Sequence, residues 1–210
     1  MTTGDVIDRP GLVRRGLRLN YLTIGYNICE GVASLVAGVI AGSIALVGFG
    51  VDSMVEVGAS GAAQWRLRSD LDPIRRAHTE RVASVIIGWC FLALAAYVTA
   101  DSLKTLWFSE RPERSIAGLV ILTLSVIVMP ILARAKRNVA NELSSNALRS
   151  DARQTSLCAY LSVIALAGVL LNAVAGLWWA DPVAALCMVP IIAKEGIEGL
   201  HAEELEDKCC

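Results

Sequence analysis

Charged and aromatic residues are scarce in this chain: of its 210 residues, 19% are charged and 6% are aromatic. Histidine occurs only as His78 and His201, both in polar segments, so a Ser/His/Asp catalytic set cannot form within the apolar part of the chain. No phosphate-binding loop motif is present, which argues against ATP hydrolysis. We accordingly expect a protein that is not an enzyme and that requires no cofactor.

Polar segments long enough for a soluble domain are also missing. Residues 1–20 are polar and contain no apolar core, so they do not form a signal peptide and are expected to be a cytoplasmic N-terminal segment. Residues 201–210 are expected to be a cytoplasmic tail. Four of the six cysteines lie in apolar runs, and the other two are Cys209 and Cys210 in that tail. This distribution does not indicate the disulfide framework of an exported protein.

Long apolar runs are what the chain does contain, since 55% of its residues are hydrophobic. Six runs approach or exceed the roughly 20 residues that a membrane-spanning helix needs. They are 21–41, 43–63, 82–103, 116–133, 156–176 and 179–197. We therefore expect an all-α membrane protein with six transmembrane helices, formed by residues 21–200. Small residues permit close approach of such helices, and the runs contain Gly25, Gly31, Gly38, Gly58, Gly61 and Gly168.

The distribution of basic residues predicts the orientation of the spans, whereas the net charge of −1 indicates no particular partner. With six spans, all but three of the 19 Lys and Arg residues fall on one side; the exceptions are Lys104, Arg111 and Arg114. Because basic segments stay in the cytoplasm, both termini are expected to be cytoplasmic. The loop arginines suit contact with phospholipid better than contact with nucleic acid.

Two acids, Asp52 and Glu56, lie deep inside the second apolar run. Their spacing of four residues puts both carboxylates on one face of a helix. Each ionised acid at the centre of a membrane helix costs roughly 2.5–3.5 kcal/mol, so the pair needs compensation. A divalent cation would supply it. The alternative is that the acids are protonated, or bonded to Ser and Thr of neighbouring helices.

A second set of polar residues, Asp151, Gln154 and Cys158, follows the same helical spacing at the start of the fifth run. Taken alone, Cys158 suits a small apolar core residue and Gln154 suits an interhelical hydrogen bond. If the second and fifth spans are neighbours, two carboxylates, a thiolate and an amide oxygen converge. That mixture of hard and soft ligands suits a tetrahedral transition-metal ion.

The chain contains further acids and thiols whose roles the sequence can only partly define. Glu30, with Asn27 one turn earlier, is either a further ligand or proton relay, or part of a hydrogen-bonded packing pair. Asp101 and Asp181 lie at the outer ends of spans, where we expect solvation at the interface. Adjacent thiols in the tail bind soft cations in principle, although neighbouring residues make a poor chelate.

Three segments resemble the cation diffusion facilitator, or cation efflux, family of transporters. Residues 42–56 (GSIALVGFGVDSMVE) are similar to the family's second helix, which has two acids separated by three residues. Residues 147–158 (ALRSDARQTSLC) are similar to its fifth helix, and residues 179–182 (WADP) to the start of its sixth. Gln154 stands where the family usually has His, and Cys158 where it usually has Asp. The family also carries a C-terminal cytosolic domain, so the chain looks like a short, six-helix branch.

The resemblance implies efflux of a divalent transition-metal cation from the cytoplasm, across the inner membrane, by proton antiport with alternating access. It also implies a homodimer. Zn²⁺ is the first choice of cargo, and Co²⁺, Fe²⁺, Mn²⁺ and Cd²⁺ remain alternatives because a carboxylate, thiolate and amide site does not select sharply. Two other functions stay open: transport of another small cation, and a non-transporting membrane scaffold or metal-sensing subunit. The expected metal-site residues are Glu30, Asp52, Glu56, Asp151, Gln154 and Cys158.

Overall fold

The computed structural model describes residues 9–68, 73–109, 111–143 and 146–206. Within these ranges the chain forms six α-helices and no strand, which confirms the all-α prediction. The helices are α1 (Arg9–Ala41), α2 (Ile44–Arg68), α3 (Pro73–Phe108), α4 (Ile116–Glu142), α5 (Asn146–Ala175) and α6 (Ala180–Glu206).

Several helices are longer than the apolar runs that predict them. α1 begins at Arg9 rather than near residue 21, and α5 begins at Asn146 rather than near residue 156. α6 continues through most of the expected tail, whereas Cys209 and Cys210 lie outside the described residues. Apolar runs report the part of a helix that can lie in lipid, and helical hydrogen bonding continues past that part into polar sequence.

Four of the helical segments in the described part of the chain are, by length and composition, able to cross a membrane. They are Gly11–Ala41, Ile44–Gly61, Ile116–Glu142 and Asp151–Ala175. Large apolar side chains point outward from the bundle, as in Ile40, Ile116 and Val174, each more than 70% exposed. Such a surface is expected where lipid, rather than water, surrounds the protein.

The most extensive helix–helix contacts are within three pairs: α1 with α2, α4 with α5, and α3 with α6. α2 is central, because it also contacts α3, α5 and α6. Its buried residues Leu46 and Phe49 belong to the main apolar core, together with Leu161 of α5 and Met188 of α6. The condition under which the acids of the second span meet the polar residues of the fifth, that α2 and α5 are neighbours, is therefore met.

Close helix approach is confirmed at three of the six glycines named in the sequence analysis and not at the other three. A Cβ on Gly168 would lie 2.5 Å from the Cβ of Ala184, so α5 and α6 could not pack as they do with a larger residue there. Gly31 and Gly38 are equally crowded against α2. A Cβ added to any of the other three would meet no atom of the described residues within 4 Å; these are Gly25, Gly58 and Gly61.

Asp181 is fully buried, so the expectation of a solvated interfacial residue is wrong. Its carboxylate accepts hydrogen bonds from the Ser43 hydroxyl and from the backbone N–H groups of Ile44, at 2.9 Å, and Ala45, at 3.4 Å. These donors open α2, and the first N–H groups of a helix have no partner within the helix. Asp181 therefore caps α2 from α6 and fixes where the central helix begins.

Asp181→Ala is expected to destabilise the bundle by about 2 kcal/mol, because the buried donors at the start of α2 lose a charged acceptor. The measurement is the thermal unfolding midpoint of the purified protein in detergent micelles. Asp101→Ala is the matched control, since Asp101 is only half-buried and accepts a long bond of 3.3 Å from Tyr97. Equal midpoints for the two variants would contradict the capping role.

Candidate functional site

Asp52 and Glu56 both lie on the buried face of α2, with 6% and 1% of their surfaces exposed. The helical phase explains this placement, because Phe49, Ser53 and Ser60 occupy the same face and are fully buried. The two acids are therefore directed into the bundle and away from lipid. This is the arrangement that the spacing of four residues predicts.

Cys158 of α5 lies beside both α2 carboxylates and is 1% exposed. It occupies the buried face of α5 with Thr155, whose side chain lies next to Glu56. Contact between α2 and α5 thus brings a thiol and two carboxylates together. Gln154 lies on the half-buried flank of α5, one position before Thr155, so its part in a metal site stays a prediction.

The Glu56 carboxylate is the least satisfied group of the site. Both of its oxygens are buried, and neither has a hydrogen-bond partner among the described residues, although Thr155 and Cys158 are close. A buried acceptor without a partner is costly, and a buried unpaired carboxylate is more so. A cation bound here would remove that cost.

The metal-ligating side chains of the candidate site do not form a complete coordination sphere in this structure. Among the residues that the structure describes, no group of three or more His, Cys, Asp or Glu side chains is arranged to hold a metal ion. The contacts between α2 and α5 place the donors in one region of the bundle.

Glu30 of α1 is adjacent to this region and is 5% exposed. It accepts a hydrogen bond of 3.2 Å from Ser53, the residue that follows Asp52. Its other oxygen, and both polar side-chain atoms of Asn27, have no partner in the part of the chain that the structure describes. Glu30 therefore extends the buried polar region into α1, and both of its interpretations from the sequence stay open.

The polar residues of α1 form a stripe with the helical period. Positions three and four residues apart are each buried against the bundle, with exposed fractions from 0% to 5%. They are Asn20, Thr23, Asn27, Glu30 and Ser34. The polar face of α1 is thus turned toward the neighbouring helices and away from lipid, as expected for polar residues of a membrane helix.

Asp151 pairs with Lys136 of α4, and sequence reasoning missed this partner. The Lys136 Nζ lies 2.8 Å from Asp151 Oδ2, and both side chains are 1% exposed. The Ser60 hydroxyl donates to Asp151 Oδ1 at 2.7 Å. Both carboxylate oxygens of Asp151 are thus engaged.

The helical phase of α4 would have revealed Lys136. It looks like one more basic residue of a cytoplasmic loop, because it stands between Arg134 and Arg137. However, it continues a buried face whose positions recur every three or four residues. That face comprises Gly118, Leu122, Ser125, Met129, Ala133, Lys136 and Ala140.

The fold and the site together define a class of protein: a helical membrane protein with carboxylates and a thiol buried at the centre of its bundle. The sequence profile of the cation efflux transmembrane domain matches residues 22–200. The chain belongs to the cation efflux family, as the resemblance of its second, fifth and sixth helices predicts.

Relatives in this family come from bacteria, archaea and animals. Magnetosome protein MamB of Paramagnetospirillum magneticum is 27% identical over 178 residues, covering 82% of this chain and 60% of that protein. The uncharacterized transporter MJ0449 of Methanocaldococcus jannaschii is 26% identical over 179 residues, covering 82% and 63%. Transmembrane protein 163 of Xenopus laevis is 25% identical over 162 residues, covering 70% and 57%. The chain thus spans about three fifths of the length of these curated relatives.

Proposed function

We propose that this protein is a secondary transporter that moves divalent transition-metal cations across the membrane, with Zn²⁺ as the first cargo to test. The observation that carries the proposal is the Glu56 carboxylate, which is buried beside Cys158 without a hydrogen-bond partner in the described ranges. Ionisable groups inside membrane helices are expensive and mark ion pathways. Membership of the cation efflux family supports cation transport as the function that explains why this costly buried carboxylate is present.

The proposed mechanism is alternating access. The cation enters from the cytoplasmic side, where Asp151 lies, and is held by Asp52, Glu56 and Cys158, with Gln154 and Glu30 as further candidate ligands. Rocking of helices against one another then exposes the site to the outer side. Because metal ligands must be deprotonated, protons compete with the cation for the carboxylates and the thiol. Proton entry from outside would release the cation, which gives efflux by proton antiport across the inner membrane.

A homodimer is part of the same proposal. Gly25, Gly58 and Gly61 have open space beside them within the described structure, so a second copy of the chain could approach closely there.

The choice of metal rests on the donors: carboxylates are hard ligands and the thiolate is soft, and Zn²⁺ accepts both. Co²⁺, Fe²⁺, Mn²⁺ and Cd²⁺ also bind carboxylate and thiolate ligands, but they differ in which of the two they prefer.

Flux through the purified wild-type protein tests the proposal. Proteoliposomes containing a metal-sensitive dye are expected to take up Zn²⁺ when a pH gradient is imposed, and the rate is expected to fall when the gradient is collapsed. A protein that binds Zn²⁺ but moves none of the five metals would instead be a scaffold or sensing subunit. A protein that neither binds nor moves any of them would overturn the proposal and leave another small cation as the cargo.

A further inference from the structure

Lys136 is a buried cation that the proposed transport cycle leaves unexplained. Its side chain is 1% exposed, and it lies near the end of α4 on the face that packs into the bundle. Burying an ammonium group is costly unless it is paired and hydrogen-bonded. A residue needed only for orientation of the chain would instead be exposed, as Arg134 and Arg137 are on the same helix.

Its contacts join three helices. In addition to the ion pair with Asp151 of α5, the Lys136 Nζ donates to Thr155 Oγ1 of α5 at 3.0 Å and to Ser60 Oγ of α2 at 3.4 Å. Ser60 in turn donates to Asp151. All the donors of the ammonium group are therefore used within the bundle, and its position is fixed by α2 and α5 together.

The position of this charge relates directly to the candidate cation site. Ser60 lies one helical turn after Glu56, and Thr155 lies between Asp151 and Cys158 along α5. The ammonium group acts electrostatically on Glu56 as well as on Asp151. Asp151 and Glu56 thus share one positively charged neighbour, which lies at the end of the site from which the cargo is proposed to enter.

We propose that Lys136 is a specificity-determining and positioning residue: a buried cation that withholds Asp151 from the cargo and weakens the hold of Glu56 on it. This inference rests on the proposed function. Two effects follow from the geometry. Asp151 is neutralised by its partner, so it does not add a third carboxylate to the site. With one carboxylate fewer available, the site holds a divalent ion weakly enough for release, as conduction of ions through proteins requires.

Substitutions of the two partners should therefore shift metal affinity in opposite directions. Lys136→Gln removes the positive charge that neutralises Asp151 and frees that carboxylate, so Zn²⁺ and Co²⁺ are expected to bind on the order of tenfold or more tightly. Asp151→Asn leaves the ammonium group unpaired near Glu56, so the same ions are expected to bind more weakly by a similar factor. The double variant Lys136→Gln/Asp151→Asn restores the net charge and is expected to bind nearly as the wild type does.

A purely structural ion pair predicts a different pattern. Removing either partner would then lower the thermal midpoint and leave the affinity of the folded protein unchanged, or weaken it in both variants. Affinity is therefore the informative readout, measured by titration of Zn²⁺ and Co²⁺ into the purified full chain in detergent micelles, with unfolding midpoints measured alongside. Arg137→Gln is the matched control, because Arg137 is the next residue of α4, is exposed, and donates to the neighbouring Ser156 at 3.0 Å rather than to a residue of the site.

The outcomes separate this inference from the proposed function. Opposite shifts for the single variants, with Arg137→Gln unchanged, support the proposed role of Lys136. Shifts in the same direction, or none, overturn it while metal binding by the wild type still stands. If the wild type binds no divalent metal at all, the proposed function fails, and the role of Lys136 in it fails as well.

Discussion

Replacing Glu56 with Gln is expected to reduce metal flux by about 100-fold and to leave the metal-free protein at least as stable as the wild type. Neither oxygen of this buried carboxylate has a hydrogen-bond partner among the residues that the structure covers. Without a cation, its charge is a cost of roughly 3 kcal/mol within a membrane helix, and with a cation the same charge provides attraction. A loss of about 3 kcal/mol of attraction corresponds to about 100-fold weaker binding.

Two measurements on the Glu56→Gln variant distinguish a functional role from a structural one: flux in dye-loaded proteoliposomes and the thermal unfolding midpoint without metal. Loss of flux with an unchanged or raised midpoint identifies a functional carboxylate, whereas loss of both identifies a structural one. Glu198→Gln is the matched control, since Glu198 is exposed on α6 and forms a surface ion pair of 3.6 Å with Lys194. Such pairs contribute little. Flux in Glu56→Gln equal to that of the control would remove Glu56 from the transport path.

Cys158→Ser is expected to change which metal is carried. The substitution preserves size but replaces a soft donor with a hard one, at a position that is 1% exposed and beside both α2 carboxylates. Thiolates favour Zn²⁺ and Cd²⁺, whereas oxygen ligands favour Mn²⁺. We expect the ratio of Cd²⁺ to Mn²⁺ transport to fall on the order of tenfold or more.

The matched control for this prediction is Cys187→Ser. Cys187 belongs to α6 and is exposed, so the same chemical change is made away from the carboxylates. Flux of each metal is measured separately under the same pH gradient, and the ratio is compared among wild type, variant and control. An unchanged ratio in Cys158→Ser would show that the thiol is a core residue, which is the simpler of the two interpretations that the sequence leaves open.

Much of the fold follows from patterns within single helices. The apolar runs predict all six helices, because a membrane requires long segments whose backbone polar groups bond internally. Their polar extensions escape prediction, so α1 and α5 begin ten or more residues earlier than expected. Within α2, the spacing of Asp52 and Glu56 correctly predicts a shared buried face, since helical phase is a local property.

The candidate site depends on relationships between helices, which local patterns do not contain. Asp181 is separated from the start of α2 by well over a hundred residues, and its capping role becomes visible only when α6 packs there. Lys136 looks like a loop residue until α4 is seen to turn it inward toward Asp151. In both cases a charged side chain near a span end has two ordinary positions, solvent or bundle interior, and the packing of distant helices decides between them.

The sequence by itself determined that this is a helical membrane protein of the cation efflux family with two acids on one face of its second helix. Hydrophobicity and helical periodicity act over a few residues, so both can be recognised in the chain. Only the tertiary structure decided that Cys158 faces those acids and that Asp151 is neutralised by Lys136. These pairings arise from the packing of α2, α4 and α5, and the free energy of burying charge depends on which partner that packing supplies.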